Sequence, residues 1–387
     1  MLAVSHLLTD VSSYGDSLRY TRRSVGHRSG THKGAGPVVV WNVTRTCNLR
    51  CVHCYSQSEN KKYAGELSTE EAMRVIDDLA EARVPVILFS GGEPFARPDL
   101  LDLARYAVSK GIRVTLSTNG TLITEEVARR IREIGVGYVG ISLDGVGEIH
   151  DRFRGKKGAF DGALRGIRNC LRQGQKVGLR FTINRHNADQ VPAIFDLMEK
   201  EGIQRACFYH LVYSGRASVQ YDVSHEETRR ILDFIFDKVE DFARRGIVKE
   251  ILTVDNHTNA PYLYLRVKRK NPEKAEIVLE KLRNNGGNRS GIAIANIDPL
   301  GNVHPDQFTQ SITLGNVRER PFSEIWNDET HPVLTALRDR KPLLKGRCSR
   351  CRFLDICNGN LRARALAVHR DLWAEDPACY LTDEEIS

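Results

Sequence analysis

Val38-Val39-Val40-Trp41-Asn42-Val43-Thr44-Arg45-Thr46-Cys47-Asn48-Leu49-Arg50-Cys51-Val52-His53-Cys54-Tyr55 is the stretch on which the reading of the whole chain turns. Its first six residues form an apolar run that reads as a buried strand. Directly after it come three cysteines at CxxxCxxC spacing. Thiolates are soft ligands suited to iron–sulfur clusters or zinc, and such sites ordinarily take four. The local set stops at three, and the next cysteine is Cys170. A structural zinc site would need a second CxxC pair or histidines nearby. A four-iron cubane held by three thiolates instead keeps one iron open, and an open metal position is where a substrate or cosubstrate binds.

Working outward, the chain of 387 residues has room for one large α/β domain and a smaller one. From Pro37 short apolar strands alternate with amphipathic helices. Strands are predicted over 38–43, 86–90, 113–118, 138–143, 177–183 and 206–211. Helices are predicted over 68–82, 99–109, from 124, 160–173, 189–201 and 226–245. Ser68 and Glu71 have the spacing of a capping box. Six strand–helix units in succession imply a parallel sheet with right-handed crossovers, either a partial barrel or an open doubly wound sheet. In both, ligands gather beyond the carboxyl ends of the strands.

The flanks read differently. Residues 1–36, polar and glycine-rich towards their end, look like an arm or lid rather than a core segment. After Val254 the rhythm changes: a charged helix from Asn271-Pro272-Glu273 ends near Asn285-Gly286-Gly287, and Ile292 to His304 reads as a hairpin. Cys348, Cys351, Cys357 and Cys379 then supply four thiolates in one compact region, which fits a fully ligated iron–sulfur cluster or a tetrahedral zinc. The domain bounds are 1–36 for the arm, 37–255 for the core, 256–295 for a connecting segment and 296–387 for the small cysteine-rich domain.

Composition narrows the setting. A formal charge of +8, from 57 basic and 49 acidic residues, favours anionic partners. No nucleic-acid motif and no aromatic-interleaved basic tract is present, so an acidic small molecule is expected. No apolar run is long enough for a membrane span, and the first residues lack the charged start and apolar core of a signal peptide. A cytoplasmic protein is expected, with its nine cysteines serving metal sites rather than disulfides. Cys170 and Cys207 read as buried small hydrophobes.

The strand ends carry further polar residues: Ser90-Gly91-Gly92-Glu93-Pro94, Ser117-Thr118-Asn119-Gly120, Ser142-Leu143-Asp144-Gly145 and Arg180. CxxxCxxC with the aromatic Tyr55, followed one strand later by Gly91-Gly92-Glu93-Pro94, resembles the radical S-adenosylmethionine (SAM) superfamily over about residues 38–250. The resemblance implies a partial (β/α)6 TIM-like barrel and a SAM-binding 4Fe–4S cluster on Cys47, Cys51 and Cys54. It also implies that Gly91, Gly92, Glu93 and Pro94 hold the methionine amino group. Asn119, Ser142 and Asp144 would serve ribose hydroxyls, and Arg180 the SAM carboxylate. An electron donor such as a flavodoxin or ferredoxin is implied as well. The C-terminal cysteines, with Leu314-Gly315-Asn316-Val317-Arg318 before them, resemble the SPASM and twitch extensions, which carry auxiliary 4Fe–4S clusters. Too few cysteines remain for two such clusters, so one is expected. His304 and Asp306 stand where many relatives place another cysteine, which leaves open their ligating it.

Over nearly its whole length the chain is similar to the radical SAM enzymes of siroheme-derived haem synthesis. The resemblance rests on Pro37 to Asn42, Tyr209-His210-Leu211-Val212-Tyr213-Ser214-Gly215-Arg216, Asn285 to Gly291, Asp371 to Cys379 and Ser17-Leu18-Arg19-Tyr20. It implies an anionic tetrapyrrole, 12,18-didecarboxysiroheme, losing acetate or propionate side chains. His210, Tyr213 and Arg216 are then candidates for substrate contact, and Arg19, Arg22 and Arg23 for gripping carboxylates. A peptide maturase or a non-catalytic cluster- or haem-binding protein are the alternatives.

Overall fold

Seven buried strands run parallel and set the frame of the computed structural model, which describes residues 1–9, 11–21, 30–31 and 35–387. In chain order the strands are β1 Leu2–Ala3, β2 Val38–Asn42, β3 Val86–Ser90, β4 Arg113–Thr118, β5 Tyr138–Ser142, β6 Val177–Ile183, β7 Arg205–His210, β8 Glu250–Val254, β9 Ile294–Ile297, β10 Asn302–His304 and β11 Gly315–Asn316. They form one sheet in the order β1-β8-β7-β6-β5-β4-β3-β2-β9-β10-β11. β2 through β8 pair in parallel, each with its successor, which is the partial barrel expected from the sequence. Helices between these strands cover the outer face, as parallel sheets require.

The local signals that predict these elements hold. Ser68 accepts the Glu71 N–H at 3.2 Å while the Glu71 carboxylate accepts the Ser68 N–H at 2.8 Å, so the capping box starts the helix Thr69–Glu81. Asn271 caps Pro272–Asn285, and Gly286 ends that helix in the left-handed region at φ 68°. The six strand–helix units are followed by a seventh parallel strand, β8, that the sequence reading passes over. Its run Ile251-Leu252-Thr253-Val254 opens on Lys249-Glu250, and polar side chains at the start hide a strand whose every residue is buried.

Two parts of the flanks depart from expectation. Leu2, Ala3, Val4, Leu7 and Leu8 are buried, and β1 adds antiparallel to β8, so this segment belongs to the core rather than to a lid. The Tyr20 hydroxyl accepts the Ala3 N–H at 2.9 Å and ties the following helix, Tyr14–Tyr20, to it. Arg19, expected to grip substrate, instead pairs with Asp16 at 2.8 Å. Arg22 and Arg23 lie outside the described residues. At the other end the predicted hairpin forms from β9 and β10, but β9 also pairs in parallel with β2, so one sheet runs through both regions. Among the described residues no helix is long and apolar enough to cross a membrane.

Leu7 is 1% exposed, within the helix Val4–Thr9. Leu7→Ala is expected to destabilise the chain by about 2–5 kcal/mol, as core truncations do. Denaturant unfolding checks this; a change below about 0.5 kcal/mol would return the segment to the surface.

Candidate cluster and cofactor site

The loop bearing Cys47, Cys51 and Cys54 leaves the carboxyl end of β2 and lies across the ends of β3 and β7. Backbone closeness holds it there. Gly92 N–H donates to Thr44 O at 2.7 Å and Glu93 N–H to Thr46 O at 2.9 Å. A Cβ at Gly91 would stand 2.3 Å from Thr44 O, and one at Gly92 2.3 Å from Thr46 O. The two glycines are thus required by the cysteine loop itself. From the β7 side, Gly215 has φ 64°, and a Cβ there would meet the Cys54 and Tyr55 carbonyls at 2.4 Å. Arg216 donates from its backbone to Cys54 O at 3.0 Å, from Nε to Cys51 O at 2.8 Å and from both terminal nitrogens to Ser58 O at 3.2 Å.

The three thiols line one cavity of about 160 Å³ together with Gly91, Gly92, Asn119, Ser142 and Arg180. Leu49 N–H reaches Cys47 Sγ at 3.4 Å, Arg154 Nη1 reaches Cys51 Sγ at 3.4 Å, and Ser56 Oγ lies 3.3 Å from Cys54 Sγ. The Leu49 and Arg154 donors aimed at sulfur favour thiolate over thiol, the form a metal needs. Burial works the other way and pushes Cys47 up to about 12 and Cys51 upwards, the latter against the nearby Arg154 cation. Metal binding must therefore displace protons here. His53 Nδ1 is buried with no partner among the described residues, on a ring tilted 38° to that of Phe153 at 4.5 Å, at the wall of the same cavity. Burial holds His53 neutral, down at about 4.

Glu93 is fully buried at the start of a short turn whose first residue is Pro94. Its carboxylate accepts from the Thr118 hydroxyl at 2.6 Å, Asn119 N–H at 2.7 Å and Phe95 N–H at 3.2 Å. A carboxylate offers about four acceptor positions, so one remains for an ammonium group. Burial pushes Glu93 up to about 7 against those three bonds. Asn119 Nδ2 donates to Asn48 Oδ1 at 2.8 Å, which ties the β4 end to the cysteine loop. Arg180 lies with its guanidinium 4.6 Å over the Tyr209 ring. The Tyr55 hydroxyl donates to Asn42 Oδ1 at 2.9 Å, and its ring meets Phe308 edge-on at 5.4 Å. These two rings separate the cysteine cavity from a larger one of about 520 Å³.

Several expected residues do other work. Asp144 is fully buried; it accepts Thr182 N–H at 2.7 Å and pairs with Arg154, the residue that reaches Cys51. It orients that arginine and does not line the cysteine cavity, where the resemblance implies a contact with ribose. Arg154 itself stands in the helix Glu148–Arg154, with no motif around it, and only the fold brings it to the site. Arg216 clamps the cysteine loop and so has no free guanidinium for substrate. The Tyr213 hydroxyl donates to Asp222 at 2.6 Å. His210 lines the cysteine cavity, and its Nε2 meets Asn259 Nδ2 at 3.0 Å. Burial keeps it neutral, at about 3.

Cys348, Cys351, Cys357 and Cys379 line a second cavity of about 120 Å³. Burial pushes Cys348 up to about 11 and Cys357 well above its ordinary value. Asp306 accepts Phe308 N–H, Thr309 N–H, the Thr309 hydroxyl and the Ser290 hydroxyl, and His304 contacts Ile312 O and Asp298. Their ligating capacity is already used, so neither adds to the four thiols. Cys170 and Cys207 are buried, 0% and 1% exposed, and line neither cavity.

A fold of this kind, with three thiols at one end of a partial barrel and four in a small domain beyond it, defines an iron–sulfur enzyme class. The Radical SAM superfamily profile matches residues 41–198, and that of the SPASM iron–sulfur cluster-binding domain matches 291–352. The chain is 53% identical to an Fe-coproporphyrin III synthase of Methanosarcina barkeri, covering 100% of this chain and 99% of that protein. It is 44% identical to a pre-heme d1 synthase of Dinoroseobacter shibae, covering 90% and 87%. Among solved structures, Streptococcus suis SuiB bound to S-adenosylmethionine superposes with TM-score 0.71 at 17% identity, over 90% of this chain and 78% of that one. The chain belongs to the radical SAM superfamily, and within it to the SPASM-bearing group. Its cofactors are SAM and two 4Fe–4S clusters, which decides for iron–sulfur over the zinc left open by the cysteine spacing. Cys47, Cys51 and Cys54 would hold the first cluster, and Cys348, Cys351, Cys357 and Cys379 the second.

Anaerobically reconstituted protein is expected to carry about eight irons, falling to about four in Cys47→Ala/Cys51→Ala/Cys54→Ala. Arg216→Ala should behave as a milder version of that triple variant. It loosens the first loop, so iron and the SAM-responsive paramagnetic signal fall while the second cluster's signal stays. Equal loss of both signals would refute the clamp.

Proposed function

We propose that this chain is a tetrapyrrole-modifying radical SAM enzyme of haem synthesis that removes the two acetate side chains of 12,18-didecarboxysiroheme, giving Fe-coproporphyrin III. The observation that carries the reading is the end-to-end similarity, at 53% identity, to a protein named for that product, against 44% to the pre-heme d1 synthase. When bound, SAM and the first cluster supply a 5′-deoxyadenosyl radical that removes a hydrogen atom from the substrate. The chain's own part is to place one edge of the macrocycle against that radical and to exclude water.

In this reading the macrocycle occupies the cavity of about 520 Å³. Tyr55, Tyr63, Tyr213 and Phe308 offer it aromatic surface, and Arg45 a cation for its carboxylates. Its reacting edge passes the Tyr55–Phe308 pair towards Arg180 and His210 in the cysteine cavity. Gly91, Gly92, Glu93 and Arg180 receive SAM. The net positive charge suits a polyanion, and an acidic one-electron carrier in the cytoplasm serves as reductant.

Anaerobic incubation of reconstituted protein with SAM, reductant and 12,18-didecarboxysiroheme is expected to give the macrocycle lacking both acetates, with one 5′-deoxyadenosine per acetate lost. Loss of propionates instead would move the chain to the haem d1 branch. An unchanged macrocycle alongside continued SAM cleavage would rule out this substrate and favour a peptide.

A further inference from the structure

Around the cysteine cavity almost every carboxyl is already engaged. Glu93 accepts three hydrogen bonds, Asp144 pairs with Arg154, and Asp306 accepts four. Asp376, fully buried in the adjoining domain, pairs with Arg364. Asp255 is different. It lies immediately after β8, the last of the seven strands β2 to β8, and lines the same cavity as Cys47, Cys51, Cys54, Arg180 and His210. Among the described residues its carboxyl makes no hydrogen bond. Its backbone adopts φ 63°, a left-handed conformation that costs a non-glycine residue about 1–2 kcal/mol. Such strain persists where the surrounding structure holds a side chain in a needed place, and it clusters at active sites.

The chemistry of the proposed reaction asks for a proton at this position. In a reduced ring the acetate sits on a saturated carbon beside one that carries hydrogen. Removing that hydrogen atom leaves a carbon radical. The bond to the CH2COO⁻ group then breaks homolytically. One of its electrons pairs with the ring radical as a new double bond, and the other leaves on the carboxymethyl fragment. That fragment becomes acetate by taking one electron from the low-potential reductant and one proton from an acid.

We propose that Asp255 is the acid that delivers this proton to the expelled fragment, a catalytic residue of the acetate-removal reaction. The assignment rests on the substrate reading above. The charged groups whose fields act on Asp255 are the Met1 amine beside β1, Arg364 of the helix Arg362–His369, Arg180 on β6 and Asp306 after β10. Burial pushes the carboxyl up to about 6 despite these cations, so it holds a proton more readily than an ordinary aspartic acid. The neighbouring groups are otherwise engaged: His210 meets Asn259 through Nε2, and Glu93, Asp144 and Asp306 are tied as acceptors or in an ion pair.

The test compares wild type, Asp255→Asn and Asp255→Glu, each checked first for iron content and for the melting of the cofactor-free chain. Macrocycle binding to the cofactor-free chain is followed by optical titration. Asp255→Asn is expected to lower acetate release by about 10²–10⁴-fold. Its 5′-deoxyadenosine formation and its macrocycle affinity should stay close to wild type, and Asp255→Glu should recover part of the rate. In heavy water the acetate released by wild type should carry one deuterium in its methyl group. A wild-type rate in Asp255→Asn overturns the assignment, as does an affinity loss that accounts for the whole rate loss, or acetate without deuterium. If wild type leaves the macrocycle untouched, the substrate reading fails first, and this assignment falls with it.

Discussion

Contact between two stretches of backbone, the cysteine loop at 44–46 and the strand end at Gly91-Gly92, is the constraint on which the site depends. Hydrogen bonds of 2.7 and 2.9 Å seat the loop, and no side chain fits between the two strands of chain. Gly215 and Arg216 press on the same loop from the β7 side. Three cysteines are thereby fixed on one cavity wall before any iron arrives. Fixing ligands in advance lowers the entropy that a cluster must offset when it binds.

Electrostatics completes that arrangement through a chain of buried contacts. Asp144 accepts from Thr182 and pairs with Arg154, and Arg154 donates towards Cys51. A buried cation without its carboxylate would carry a large desolvation penalty. Asp144 therefore acts on the cluster site at one remove, and its burial explains why it is absent from the cavity wall. Glu93 plays the complementary part. Three donors hold its carboxylate in place while burial raises its proton affinity.

Much of this was legible in the chain before folding. Alternating apolar runs and capped helices gave β2 to β7 with ends correct within a residue or so, because buried parallel strands and capping boxes leave local signals. The cysteine spacings and Gly91-Gly92-Glu93-Pro94 pointed to the two cluster regions for a chemical reason, ligand number. What stayed hidden was contact at long range. Leu2 to Leu8 is too short to show a period, and its burial is decided by the edge of β8. Arg154 and Asp255 carry no motif, and they meet the cysteines only because six crossovers close the sheet around one cavity. Arg216 was legible as part of a motif but not in its role, since a guanidinium near a strand end suits a carbonyl clamp as well as a carboxylate.

The parallel pairing of β9 with β2 has a mechanical meaning. Val38-Val39-Val40-Trp41 carries the first cysteine loop, and its outer hydrogen-bonding edge pairs with a strand from the region that bears the second set of cysteines. Cutting the chain after β8 would leave an apolar, unpaired ribbon at the rim of the sheet, the kind of edge that recruits other chains. The two cluster regions are therefore not separable modules joined by a tether. The C-terminal part is a selvedge for the barrel, and a disturbance at the second cluster can travel along one hydrogen-bonded ladder to the strand that presents the first.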